Sequence, residues 1–252
     1  MKEYFLDLLL MIQFLTRLPV KKSLPCDSKN FRDGSAMLPL VGLIIGSIQW
    51  LVYYLCIKIF PANITAIFVL AIGIILMGCL HQDGFGDIFD GFFSFKGDKE
   101  KIIEIMKDSR IGTYATVALM FDILIKYASL SFIISKGMGS VIIVAPIISR
   151  FTLVLLFLIG KNAKPKGTGN LFIGNTSVGH FIISLNIAAI SSFLLVGVRY
   201  GIYSILVSLI VTLLFLRLCN NKIGGITGDC LGANNEFVEL AVFVLFTALL
   251  NK

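Results

Sequence analysis

From Met37 onward the chain is a succession of apolar runs separated by polar breaks. They cover Met37 to Phe60, Ala62 to Leu80, Thr113 to Ser135, Val141 to Ile159, Val178 to Val198, Ile202 to Leu218 and about Phe237 to Leu250. Most reach the ~17–25 residues that cross a bilayer as a helix, so the pattern predicts an all-α, polytopic transmembrane bundle of about seven membrane helices. A further apolar stretch, residues 4 to 18, carries Asp7, Gln13 and Arg17 and stops at Pro19. It lies at the lower edge of spanning length and reads as a short interfacial or partly inserted helix. With Glu3 and Asp7 and no small-residue cleavage site, it reads as a retained segment, not a signal peptide. Residues 1–252 are expected to form a single integral-membrane catalytic domain.

The breaks alternate in character. Long polar loops cover residues 20 to 36, 81 to 112 and 161 to 177, whereas the turns near 60, 137 and 200 are short. If each run spans, all the long loops fall at one end. That end holds Arg17, Lys21, Lys22, Lys29, Arg32, Lys96, Lys99, Lys101, Lys107, Arg110, Lys161, Lys164, Lys166, Arg217 and Lys222, against only Lys58, Lys136 and Arg199 at the other. The positive-inside rule then puts the long loops in the cytoplasm, with the chain in the cytoplasmic (inner) membrane.

Composition agrees with a membrane protein. Hydrophobic residues make up 57% and the mean hydropathy is +0.91, above the roughly 45–50% apolar content of soluble domains. The net charge of +7 is spread by topology and forms no dense basic patch with interleaved aromatics, so no nucleic-acid partner is expected. Cys26, Cys56, Cys79, Cys219 and Cys230 form no Cys-x-x-Cys pair and read as small core residues. Gly42-x-x-x-Gly46 reads as a close-packing face between helices. The sequence leaves room for a homo-oligomer.

Seven of the fifteen carboxylates fall between His81 and Thr113. On a helix, Asp83, Asp87 and Asp90 (i, i+4, i+7) lie within about 60° of one another, where like charges repel unless a cation offsets them. Carboxylate-rich sites suit Mg²⁺ or Mn²⁺, not Zn²⁺, and the spacing is not that of an EF-hand. Gly84, Gly86 and Gly91 suggest that the backbone approaches something bulky. The competing reading is a solvated acidic loop. A second motif, Ile103 to Thr113, brings Lys107, Asp108, Ser109 and Arg110 to a helix start, where Ser109 or Thr113 would cap and Arg110 would bind phosphate. The alternative is that these are ordinary loop charges. A third, Gly224-Gly-Ile-Thr-Gly-Asp-Cys-Leu-Gly-Ala, lacks the Gly-Lys-Ser/Thr of a P-loop and offers Asp229 as a further metal or hydroxyl contact, or is a plain turn. Within the bilayer, Asp122 and Lys126 read as a structural ion pair, Arg150 should face the bundle interior, and His180 reads as interfacial.

Taken together, His81-x-Asp-Gly-x-x-Asp-x-x-Asp-Gly, Ile105-Met-Lys-Asp-Ser-Arg-Ile-Gly-Thr-Tyr114 and Gly224-Gly-x-Thr-Gly-Asp-x-Leu-Gly-Ala resemble the cobalamin synthases, the adenosylcobinamide-GDP ribazoletransferases. Phe14-Leu-Thr-Arg-Leu-Pro and Pro39-Leu-Val-Gly-Leu-Ile-Ile-Gly match in the same order, so the resemblance covers nearly the whole chain. The one departure is Phe85-Gly86, where members often carry Leu or Phe followed by Ala. The resemblance implies a Mg²⁺-dependent membrane transferase that joins α-ribazole, or its 5′-phosphate, to adenosylcobinamide-GDP, yielding adenosylcobalamin or its phosphate and GMP. On this reading Asp83, Asp87 and Asp90 hold Mg²⁺. Arg110, with Lys107 and Ser109, contacts phosphate, and Asp229, Lys164 and Lys166 contact substrate. The attacking hydroxyl passes its proton to either His81 or Asp108. Two rivals share part of the logic. A CDP-alcohol phosphotransferase would carry Asp-Gly-x-x-Ala-Arg, absent from this sequence, and a cation-coupled transporter would place its acids near the midplane of repeated halves.

Overall fold

The computed structural model describes residues 2–94 and 97–251; Lys96, counted above among the loop-end charges, lies outside the described residues. Among the described residues the chain is built from eleven α-helices and one 3-10 turn, with no strand. They are α1 (Lys2–Leu15), α2 (Ser28–Ser35), α3 (Leu38–Cys56), α4 (Ala62–Met77), α5 (Leu80–Ser94), α6 (Lys99–Ile105), α7 (Thr113–Ser135), α8 (Val141–Ile159), η1 (Thr168–Leu171), α9 (Val178–Val196), α10 (Val198–Ile223) and α11 (Gly228–Leu250). Helices α3, α7, α8, α9, α10 and α11 are each long and apolar enough to cross a membrane, and α4 with α5 passes as a bent pair. The chain is a multi-pass membrane protein.

Helix α8 is the central post, with sixteen of its nineteen residues buried, whereas α9 and α10 turn long apolar faces outward. The Gly42-x-x-x-Gly46 face of α3 lies directly on it. A Cβ at Gly42 would overlap the carbonyl of Pro146, and one at Gly46 would sit 2.7 Å from the Cα of Ile143. Backbone contact this close is open only to glycine, and in a bundle without a hydrophobic drive between helices it supplies the packing.

Three expectations need correction. The polar loop 20 to 36 contains α2, an eight-residue helix whose polarity hid it. It is held by Asn30, which accepts from the Asp27 N–H and donates to Asp7, and by Phe31, packed between Phe14 and Phe172. The last helix starts nine residues before Phe237, because buried Asn234, Asn235 and Glu236 interrupt its apolar pattern. The cysteines are not uniformly core residues: Cys219 and Cys230 are buried, but Cys26 and Cys79 are exposed. Helix α1, fourteen residues and so about 21 Å long, is too short to span and packs against α2 and α3.

Gly42→Leu should therefore cost at least about 1–3 kcal/mol through overpacking, seen as a lower melting temperature in detergent. Gly179→Ala, whose Cβ would meet only Ser177 Oγ at 3.6 Å, should melt like wild type. Equal melting of the two variants would contradict the packing described.

Candidate active site

Helix α4 ends in two consecutive left-handed residues, Gly78 at φ 59° and Cys79 at φ 60°, and α5 leaves at 89° to it. Left-handed backbone at a non-glycine residue is strained by about 1–2 kcal/mol, so the surroundings must hold Cys79 there. Arg17 contributes: its backbone N–H donates to Leu76 O at 2.7 Å and its guanidinium lies against Gly78. The right-angle break turns α5 across the end of α4 and onto α7 and α11.

The glycines of α5 let it lie there. A Cβ at Gly84 would sit 2.7 Å from the carbonyl of Asp229 on α11, one at Gly86 would sit 3.3 Å from Ala115 on α7, and one at Gly91 would overlap Met106. The bulky neighbour expected from these glycines is thus the rest of the protein, not a ligand.

Asp83, Asp87 and Asp90 do share one face, as the helical spacing predicts. With Asp229 they line a cavity of about 630 Å³, whose rim is Lys107, Asp108, Ser109 and Arg110 and whose far wall includes Lys164. The acids are not equivalent. Asp90 accepts the Gly112 N–H at 2.6 Å on Oδ2 and the Ala115 N–H at 3.0 Å on Oδ1, so it caps α7 from another helix. Neither Ser109 nor Thr113 does so, and a Cβ at Gly112 would run into the Asp90 carboxylate. Of the amides at the start of α7, those of Gly112 and Ala115 are taken by this one acid. Asp229 accepts from Thr227 Oγ1 at 3.0 Å and pairs with Lys164 at 3.3 Å. The carboxylates of Asp83 and Asp87 accept no hydrogen bond among the described residues. Burial, then the charges of Asp229, Asp83 and Asp90, push the Asp87 carboxyl up to about 7.

This donor set suits a hard dication held partly by the protein. Among the described residues no three acid, histidine or cysteine side chains converge as a closed metal cage. Mg²⁺ does not require one, since it keeps several waters and usually takes one or two carboxylates plus substrate phosphates. The crowding that raises Asp87 is the charge excess such an ion relieves.

The remaining sequence candidates separate. Asp108 and Arg110 form a two-pronged pair, Nη2 to Oδ2 at 2.6 Å and Nε to Oδ1 at 3.0 Å, at the open rim, where the Arg110 side chain is 88% exposed. Hydrogen bonds from Arg110 hold the Asp108 carboxyl down at about 2, which makes it a weak base while the pair lasts. Lys166 is exposed and does not line the cavity. His81 is buried and lies behind α5, with Nδ1 3.7 Å from Glu236 Oε1. His180 sits at the start of α9, in a capping box with Ser177 and with Nε2 3.4 Å from Asp33.

Sequence reasoning missed Glu236 and Glu239. Lys126 pairs with Asp122 at 3.0 Å and also with Glu236, and Arg150 pairs with Glu239. Gln82 Nε2 donates to Glu236 at 3.0 Å, and Asn235 Nδ2 and Ser149 Oγ donate to Glu239 at 3.0 and 3.1 Å. The network ties the first turn of α5 to α7, α8 and α11. The signal was available: an intramembrane Arg150 with no partner on its own helix requires an acid elsewhere, and α11 supplies it.

Two outcomes follow from this geometry. In chelator-treated protein at pH 8, Asp90→Asn should lose about 0.5–2 kcal/mol of stability with its cap, whereas Asp87→Asn should melt higher than wild type. An acid whose folded pKa is raised from 3.8 to about 7 adds no penalty below the lower value, and the penalty is complete only above the upper one. The Asp87→Asn gain should therefore vanish near pH 4, and a gain independent of pH would remove the like-charge explanation. Separately, Lys126→Met should cost about 3–5 kcal/mol by stranding buried acids, and adding Glu236→Gln should recover part of it. Denaturation of detergent-solubilised protein measures both.

Known proteins agree with one another along the chain. The family model described as cobalamin-5-phosphate synthase matches residues 7–247. An adenosylcobinamide-GDP ribazoletransferase of Clostridium tetani is 66% identical over 98% of both chains, and one of Clostridium kluyveri is 48% identical over 100% of both. A third, of Clostridium botulinum strain Kyoto, is 45% identical over 97% of this chain and 98% of its own. No solved structure matches. A family match that runs through α1, the α5 acids, the Asp108–Arg110 rim and the α10–α11 joint places this chain in the cobalamin-5-phosphate synthase family.

Proposed function

We propose that the chain transfers adenosylcobinamide phosphate from adenosylcobinamide-GDP to α-ribazole or its 5′-phosphate, releasing GMP, at the cytoplasmic face of the inner membrane. The observation that carries the reading is the convergence of Asp83, Asp87, Asp90 and Asp229, from two helices, on one cavity with a cationic rim. The relatives' shared name supplies the substrates, and the excess of Lys and Arg at the loop-rich end supports the orientation.

Asp83 and Asp87 are the acids free to hold Mg²⁺, with Asp229 and the remaining lone pairs of Asp90 beside them. The ion would neutralise diphosphate charge as a ribazole oxygen forms its bond to the cobinamide-side phosphorus and the bond to GMP breaks. Arg110 has the planar, two-pronged geometry for a phosphate, with Lys107 and Ser109 adjacent, and Lys164 faces the cavity from the opposite wall. Turning Arg110 from Asp108 to phosphate removes the bonds that hold Asp108 near 2, so substrate binding itself would make Asp108 a better acceptor for the hydroxyl proton. His81, buried beside Glu236, positions α5 in this reading.

Purified protein in nanodiscs, given adenosylcobinamide-GDP, α-ribazole and Mg²⁺, should release one GMP for each new phosphodiester. Chelation should stop the reaction and Mg²⁺ should restore it. Asp83→Ala and Asp87→Ala should each lower kcat by at least about 100-fold, the scale of several kcal/mol of lost charge stabilisation, while remaining folded. No GMP from well-folded wild type would overturn the function, and near-normal turnover in both variants would move the metal elsewhere.

A further inference from the structure

Beside the acidic cavity lies a second one of about 260 Å³, and Asp83 and Asp229 line both. Its walls differ in chemistry. Phe14 and Leu15 come from the last turn of α1, Leu38 from the start of α3, Leu153 and Phe157 from α8, and Phe172 from the segment after η1. Phe157 and Phe172 stack at 4.7 Å and 17°, giving a flat aromatic wall, and Phe14 packs against Phe172 at 5.7 Å. The polar side chains that line it are few: the two shared acids, His81 and Thr168. Glycines draw its floor together, since a Cβ at Gly169 would sit 2.9 Å from Gly228 N and one at Gly232 would sit 3.3 Å from His81 Cα.

We propose that this apolar cavity seats the flat aromatic base of the acceptor nucleoside, so that the attached sugar reaches the acids through the Asp83 and Asp229 side. The inference rests on the reading of the chain as a ribazole transferase and adds where, and by what chemistry, the acceptor is held. Size and polarity sort the possible occupants. A corrin macrocycle is far larger than the cavity, and a guanine, with polar atoms around most of its rim, would set part of that rim against Phe14, Leu15, Leu38, Leu153, Phe157 and Phe172, which offer it no hydrogen bond. A dimethylbenzimidazole presents mostly carbon and needs what is there, an apolar slot with an aromatic face. The shared acids then give a reason for two adjoining cavities of opposite character: one binds by apolar contact, the other by charge, and the reacting atoms lie where they meet.

The test is a pair of variants in the full chain, in nanodiscs, with KM measured for each substrate separately. Leu15 is half-buried at the edge of the core, so Leu15→Trp narrows the slot from its outer side. It should raise KM for α-ribazole by about tenfold or more and leave that for adenosylcobinamide-GDP within about twofold. With the riboside of unmethylated benzimidazole, two carbons smaller, the loss should shrink to about threefold or less, a rescue by size that structural damage cannot produce. Phe14→Ala, at an exposed rim position, should also raise the α-ribazole KM alone, by about fivefold. It decides the matter if Leu15→Trp does not fold. Active wild type whose variants leave the α-ribazole KM unchanged, or shift that of adenosylcobinamide-GDP instead, would overturn this assignment alone; inactive wild type would overturn the functional reading and the assignment with it.

Discussion

A lysine and an arginine inside a membrane bundle must be neutralised where they stand, and here the carboxylates that do most of it, Glu236 and Glu239, come from one turn of α11. Breaking either pair would leave a buried charge in a low-dielectric interior, so α7, α8 and α11 are fixed relative to one another by a strong geometric demand. Gln82 and His81 rest on the same network. The acidic helix is therefore anchored from below by charges that never meet the cavity above it. Charge work divides by depth: satisfied pairs within the bundle, and crowded, partly unsatisfied acids at its loop-rich end.

Much of this was legible in the sequence. Seven apolar runs gave the spans, loop lengths and Lys/Arg counts gave the two ends, and the 83/87/90 spacing gave a common face. The parts that were not legible share a physical cause. Asp90 acts on Gly112 and Ala115, and Glu239 on Arg150, across intervals no periodicity reports. The α5 glycines signalled a close approach correctly, but not that α11, α7 and Met106 are what approaches. Helix α2 and the start of α11 were hidden because polar residues that form helices under tertiary contact look like loop in isolation. His81 lines the apolar cavity with Asp83 and Asp229 and lies close to Glu236, a contact across 155 positions that its motif does not report.

The four cavity acids illustrate how one residue type takes different roles through its neighbours. Asp90 is bound by two amides, Asp229 by a hydroxyl and an ammonium, and Asp83 and Asp87 by nothing described. Only the last two keep their full capacity for an outside cation. At the rim, Asp108 and Arg110 satisfy each other, so neither stands as an unpaired charge in this structure.

The right-angle elbow at Gly78 and Cys79 also sets how the acids can move. A helix that continued straight on from α4 would carry its carboxylates at different heights along one axis. Laid crosswise, α5 holds Asp83, Asp87 and Asp90 at nearly one height along α4, so a slide of α4 along its own axis would shift all three together and leave their mutual spacing unchanged.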